Sequence, residues 1–261
     1  MKAAAGPLAA LLLAACAVTP EDPLVWSDEI ARALPLEGGE AVAVARFSSA
    51  PPGEVAFPWE PYVILRGNVP TDYRVVELDG TAAVAAESRT GSSALYRKIR
   101  IDPRRHPLLE WRWRLPSAAA GEPTLRETSG KSPAARVSLA FHGDTSKLDF
   151  EDRTQLRLAK ALTALGLPYA SLVYAWMDGV PVGTVLPSPY TKRARVIVVE
   201  NGETPRGEWL LERRNVLEDY RRAFGEEPVE IVAVGVMTDY GDDGSPRRAY
   251  YGDITFRAAP D

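Results

Sequence analysis

Cysteine and histidine are nearly absent from this chain of 261 residues: Cys16 is the one cysteine, and His106 and His142 are the two histidines. A lone cysteine excludes an internal disulfide framework and any multi-cysteine zinc site. The histidines are far apart in sequence and lack the His-Glu-x-x-His spacing of a metalloprotease, so each reads as a polar surface or turn residue. Excess positive charge is missing as well. Thirty-one Lys and Arg against 35 Asp and Glu leave a net charge of -4, which argues against a nucleic-acid partner. A phosphate loop is also missing, because Gly130-Lys131-Ser132 has Leu125 where the first glycine of that motif must stand. There is no Gly-x-Ser-x-Gly elbow for a hydrolase serine. No cofactor and no metal are expected from these residues.

What is present starts at the N-terminus. Lys2 precedes the apolar stretch Ala3 to Val18, broken only by Gly6 and Pro7. It is shorter than the roughly 18–20 residues of a spanning helix and reads as a secretory signal. Leu13-Ala14-Ala15-Cys16 resembles the lipobox of bacterial lipoproteins, in which the peptide is cut before an acylated cysteine. Acyl chains bury roughly 0.8 kcal/mol per CH₂ in a bilayer, enough for several of them to hold a soluble body there. The expected organisation is a signal peptide at 1–15, a lipidated tether at 16–39 with the stiff Thr19-Pro-Glu-Asp-Pro23, and one domain at 40–258. Lipidation at Cys16 makes the membrane a partner through the anchor. Ala17, rather than Asp, after the cysteine leans towards the outer membrane of a bacterial envelope, facing the periplasm.

Strand periodicity dominates the rest. Leu109 to Leu115 alternates without error, with Leu109, Trp111, Trp113 and Leu115 on one face and Glu110, Arg112 and Arg114 on the other. Tyr73–Leu78 and Thr81–Ala86 flank Asp79-Gly80 as a tight hairpin. Further strands are expected at Ile99–Ile101, Val137–Phe141, Leu172–Met177, Arg195–Glu200, Val229–Met237 and Tyr250–Phe256. Leu115 to Pro133, rich in Ser, Ala, Gly and Pro, reads as a long mobile surface loop. Asp149 can cap a helix that packs through Leu158, Leu162 and Leu165 and stops at Gly166. Asn215 with Glu218 opens a second helix, Val216–Phe224, ended by Gly225 and packing through Leu217, Tyr220 and Phe224. Arg214 and Asp219 are expected to brace it. The expected fold is mainly β: a two-sheet, jelly-roll-like β-sandwich with two short covering α-helices.

Several stretches resemble the bacterial domain of unknown function 3047 family. They are Leu109-Glu-Trp-Arg-Trp-Arg, Leu167-Pro-Tyr-Ala-Ser-Leu-Val-Tyr-Ala-Trp, the run from Glu212 to Pro228, Val236-Met-Thr-Asp and Ala249-Tyr-Tyr-Gly-Asp-Ile. The resemblance runs from about Tyr73 to Phe256 and implies an envelope-targeted protein without an assigned activity. The chain departs from the family pattern ahead of Arg136, at Ser132 to Ala135, and after Asp239, at Tyr240 to Asp243.

The candidate ligand site is the charged row Glu110, Arg112 and Arg114, with Tyr174, Trp176 and Tyr250 expected on flanking strands. Arginines offer paired donors to carboxylates or sulfates, and aromatic faces stack on sugar rings. Asp239-Tyr-Gly-Asp-Asp-Gly244 fails the EF-hand pattern, since Gly241 and Tyr250 stand where ligands are needed. A carboxylate-rich turn is the reading there, with a loose calcium site of Asp239, Asp242 or Asp243 as the alternative. Three functions stay open: a non-catalytic β-sandwich binding glycan or another envelope ligand, an enzyme on anionic polysaccharide, and an assembly lipoprotein meeting another protein. The lyase form of the second lacks a Gln two residues before either histidine.

Overall fold

The computed structural model describes residues 39–63, 69–117, 133–162, 167–189, 191–241 and 245–260. Cys16, Asp242, Asp243, Gly166 and most of the Leu115–Pro133 segment therefore lie outside the described residues. In chain order the strands are β1 (Ala41–Ala45), β2 (Gly53–Glu54), β3 (Glu60–Tyr62), β4 (Asp72–Leu78), β5 (Thr81–Ser88), β6 (Ala94–Ile101) and β7 (Leu108–Arg114), followed by β8 (Ala135–His142), β9 (Ala170–Trp176), β10 (Val185–Pro187), β11 (Ala194–Glu200), β12 (Leu210–Asn215), β13 (Glu230–Met237) and β14 (Arg247–Arg257). Helix α1 (Phe150–Leu162) follows β8, and α2 (Val216–Phe224) follows β12.

The strands form two seven-stranded sheets. The first runs β12-β7-β14-β5-β4-β2, with β1 also paired to β14, and every pairing in it is antiparallel. The second runs β10-β11-β9-β8-β13-β6-β3, with β11 parallel to β9. Packed face to face, they make the two-sheet β-sandwich that the alternating strands require, because each sheet has one apolar face to bury.

Period-two alternation decides what meets in the middle. Leu109, Trp111, Trp113 and Leu115 are all buried, as their spacing predicts. Trp111 stacks on Tyr174 of the opposite sheet with centroids 5.1 Å apart and planes at 27°. Trp113 meets Trp176 at 5.8 Å, and the two β7 indoles touch edge to face at 5.5 Å. Four large rings thus bridge the sheets, a contact worth more than its area alone. The β4–β5 hairpin forms as expected, with Asp79 (φ 54°) and Gly80 (φ 75°) both left-handed, as the twist-matching two-residue turn demands.

The helices differ in how far their sequence patterns hold. Asn215 accepts from the Glu218 N–H at 3.2 Å and Gly225 closes α2 at φ 70°. Its buried face is Val216, Asp219 and Tyr220, with Phe224 partly buried and Leu217 only half-buried. Tyr220 packs on Phe141 at 4.5 Å, so α2 rests against the second sheet. For α1 one member of the expected leucine stripe is corrected: Leu158 is 59% exposed, while Leu156 and Asp152 are buried; the Leu162 side chain and Leu165 lie outside the described residues. Hydrophobicity selected the wrong rung because Asp152, one turn before Leu156, faces inward as well. No helix among the described residues is long and apolar enough to cross a membrane.

Candidate functional site

Alternation on β7 places Glu110, Arg112 and Arg114 on the outer face of the first sheet, and the neighbouring strands decide what each can do. Glu110 stands opposite Arg213 of β12 and Thr255 of β14. It accepts from Arg213 at 2.9 Å and from Arg257 at 2.5 Å. Arg114, opposite Tyr250, is buried along its length and reaches Asp79 in the β4–β5 turn at 2.7 Å. Its guanidinium lies 5.9 Å from the Tyr250 ring centroid. Both ends of the row are therefore committed to ion pairs within the fold.

Arg112 is not. Its guanidinium carbon lies 5.3 Å from the Trp209 ring centroid, and it has no carboxylate partner among the described residues. Across from it the strand carries Gly252, where a β-carbon would come within 3.2 Å of Arg112 Cβ and Nε. The missing side chain lets the arginine lie flat across β14. Beside it on β12, Leu211 is 55% exposed. The result is a half-buried indole under a guanidinium with unused donors, set in an otherwise ion-paired sheet face.

Tyr174 and Trp176 do not belong to this surface. Both are wholly buried between the sheets, on β9 of the opposite layer, with Trp111 and Trp113 against them. The reason is that β9 carries apolar residues on both faces, so period two could not say which side looked inward. Tyr250 is brought beside the row but lies beneath Arg114 and is nearly buried. Asp239 is ion-paired with Arg136 through Oδ2, and the other two carboxylates of the loose calcium alternative, Asp242 and Asp243, lie outside the described residues. That pair joins the two stretches where the chain departs from the family pattern. Among the described residues no group of three or more His, Cys, Asp or Glu could hold a metal ion.

A second cluster was invisible in the sequence. Strand β12 points Leu210, Glu212 and Arg214 inward, at the edge where its sheet overlies β11 of the other. Trp113 Nε1 donates to Glu212 Oε1 at 3.1 Å. Glu200, at the end of β11, faces Glu212 and accepts from the Thr204 hydroxyl. Burial, and after it the Glu200 carboxylate, push the Glu212 carboxyl from the ordinary 4.5 up to about 8. Both causes disfavour the charged form of Glu212, which therefore holds its proton to higher pH than a solvated carboxyl does. Nearby, buried Asp178 pairs with Arg206 at 2.5 Å. One turn along from this cluster, Arg214 grips buried Asp219 through two bonds of 2.9 and 2.6 Å, and the Tyr174 hydroxyl donates to the same carboxylate at 3.0 Å. This is the bracing role expected of Arg214 and Asp219.

The family profile described as Protein of unknown function (DUF3047) matches residues 57–255. No curated protein matches the chain. Among solved structures, the family 11 carbohydrate-binding module of cellulosomal cellulase Lic26A-Cel5E of Clostridium thermocellum aligns with a TM-score of 0.43 at 8% identity, over 86% of this chain and 98% of that one. Endoglucanase Cel12A from Rhodothermus marinus aligns with a TM-score of 0.40 at 12% identity, over 77% and 97%. Identities of this size carry no information about individual residues.

Proposed function

The chain belongs to the DUF3047 family, and on that footing we propose that it is a non-catalytic glycan-binding β-sandwich, held in the bacterial envelope by a lipid on Cys16. The observation that carries the binding reading is Arg112 over Trp209. A guanidinium without a carboxylate offers paired donors to a sugar acid or sulfate, and the indole beneath it with exposed Leu211 beside it adds apolar surface for a sugar ring. The neighbouring charges are already satisfied by one another. Ligand chemistry therefore falls to Arg112, with Trp209 and Leu211 forming the apolar floor. The lipobox-like Leu13-Ala14-Ala15-Cys16 supports the anchor and, with it, outer-membrane placement facing the periplasm.

Thermal-shift screening of residues 24–261 against neutral and anionic envelope glycans tests this. A ligand at 100 times its dissociation constant adds about 2.7 kcal/mol to stability. The expected result is a shift with an anionic glycan that Arg112→Ala abolishes, while Arg112→Ala alone changes stability by less than about 1 kcal/mol. A shift that survives Arg112→Ala moves the site elsewhere, and no shift with any glycan ends the sugar reading in favour of a protein partner.

A second reading, an enzyme on anionic polysaccharide, is favoured by one observation. Glu212 keeps its proton near neutral pH beside Glu200, which is the pairing an acid–base reaction uses. Turnover of a polysaccharide that Glu212→Gln abolishes, with the fold intact, would replace binding by catalysis.

A further inference from the structure

A separate cavity lies on the far side of β14 from Arg112, between β1, the segment 46–59, β4 and β6. Its volume is about 430 Å³, within the range of sites that enclose small ligands. Val42, Val44, Phe47, Trp59 and Val75 form its buried apolar walls. Phe47 and Trp59 pack there with ring centroids 5.0 Å apart. At the mouth Phe57 is 84% exposed.

One charge is built into the wall. Arg97 comes from β6, on the face that otherwise carries Leu95, Ile99 and Ile101 into the core. It donates to the Val44 carbonyl oxygen, its Nε is buried without a partner, and no carboxylate among the described residues pairs with it. Burial lowers its pKa from the ordinary arginine value. An arginine does not escape by losing its proton, so a half-buried guanidinium without a counter-charge is a cost to the fold. Arg46 and Glu54 also border the cavity, but both are exposed and solvated. An apolar chamber ending in one uncompensated cation complements a ligand that is apolar along its length and anionic at one end.

We propose that this cavity binds a single-chain anionic amphiphile, with its acid head on Arg97 and its hydrocarbon chain against Val42, Val44, Phe47, Trp59 and Phe57. The site is distinct from the glycan surface and does not rest on it. The head supplies the missing counter-charge to the Arg97 guanidinium, and the chain displaces water from an aromatic-lined wall.

The test uses the purified full chain and titrates octanoate, with octanol as the uncharged counterpart, by calorimetry and thermal shift. Octanoate is expected to bind saturably and to raise the melting temperature, with octanol at least about tenfold weaker, the factor one charge-assisted hydrogen bond supplies. Arg97→Met keeps the apolar stem and is expected to erase that preference, so that octanoate and octanol bind alike. Phe57→Ser, at an exposed position that does not threaten the fold, is expected to weaken both ligands together. Absence of octanoate binding to the unmodified chain overturns the proposal. So does equal affinity for octanol, or an octanoate preference that persists in Arg97→Met.

Discussion

At the residue scale, three side chains that look alike in the sequence have three fates. Arg112, Arg114 and Arg214 all lie on adjacent antiparallel strands, yet Arg114 is buried onto Asp79, Arg214 is locked onto Asp219, and Arg112 is left with an indole. Asp219 shows what such a lock is worth. Asp219→Ala would leave Arg214 and the Tyr174 hydroxyl without their shared acceptor, and is expected to cost about 3 kcal/mol in urea unfolding, because a part-buried charge loses its counter-ion. Glu212 gives the molecule a pH dependence of known sign. Its folded-state pKa stands above the unfolded value, so the fold binds that proton more tightly than the unfolded chain does. The resulting stability is complete below pH 4.5 and is lost as pH rises through about 8. Glu212→Gln is expected to flatten this decline, measured as the difference in unfolding free energy between pH ~5 and pH ~9 for the two proteins. An unchanged slope would mean that Glu212 ionises freely.

At the element scale, local chemistry and tertiary packing agree on α2 and disagree on α1. Asn215 caps α2 and Gly225 ends it, so the helix is legible from a few polar residues with direct backbone roles. Asn215→Ala is expected to cost about 1 kcal/mol by thermal or urea denaturation. For α1 the leucine spacing misled, since Leu158 faces solvent and Asp152 faces inward. Strand β7 was readable because its inner face is wholly apolar and its outer face is charged from Glu110 to Arg114. Strand β12 was not, because its inward set of Leu210, Glu212 and Arg214 is mixed, and hydrophobic periodicity has no signal to follow there. The short strands β1, β2, β3 and β10 escaped for a different reason: they gain their identity from a partner strand rather than from their own composition.

At the scale of the whole molecule, two sheets enclose a core bridged by Trp111, Trp113, Tyr174 and Trp176, and the candidate sites lie outside or at the edge of it. The outer face of the first sheet carries the Arg112–Trp209 platform, the β11–β12 edge carries the carboxyl pair, and the segment before β4 walls the Arg97 cavity. The proposed lipid anchor is tested on the intact chain. Cys16→Ser is expected to move the protein from the membrane fraction to the soluble fraction and to stop incorporation of a palmitate label. Retention in the membrane with no label would point to an uncleaved signal instead.

The linear order of residues by itself determined the strand-rich sandwich, the α2 caps, the Asp79-Gly80 turn and the charged row on β7. Each of these follows from neighbours within a few positions, where periodicity and backbone preference act directly. Only the tertiary structure decided which of those charges are used up, that Tyr174 and Trp176 are core rather than site, and that Glu200 meets Glu212. It also decided that Arg97 lines an apolar cavity without a carboxylate partner among the described residues. These are matters of pairing across strands and sheets, and a charge's chemistry depends on which partner the fold brings within reach.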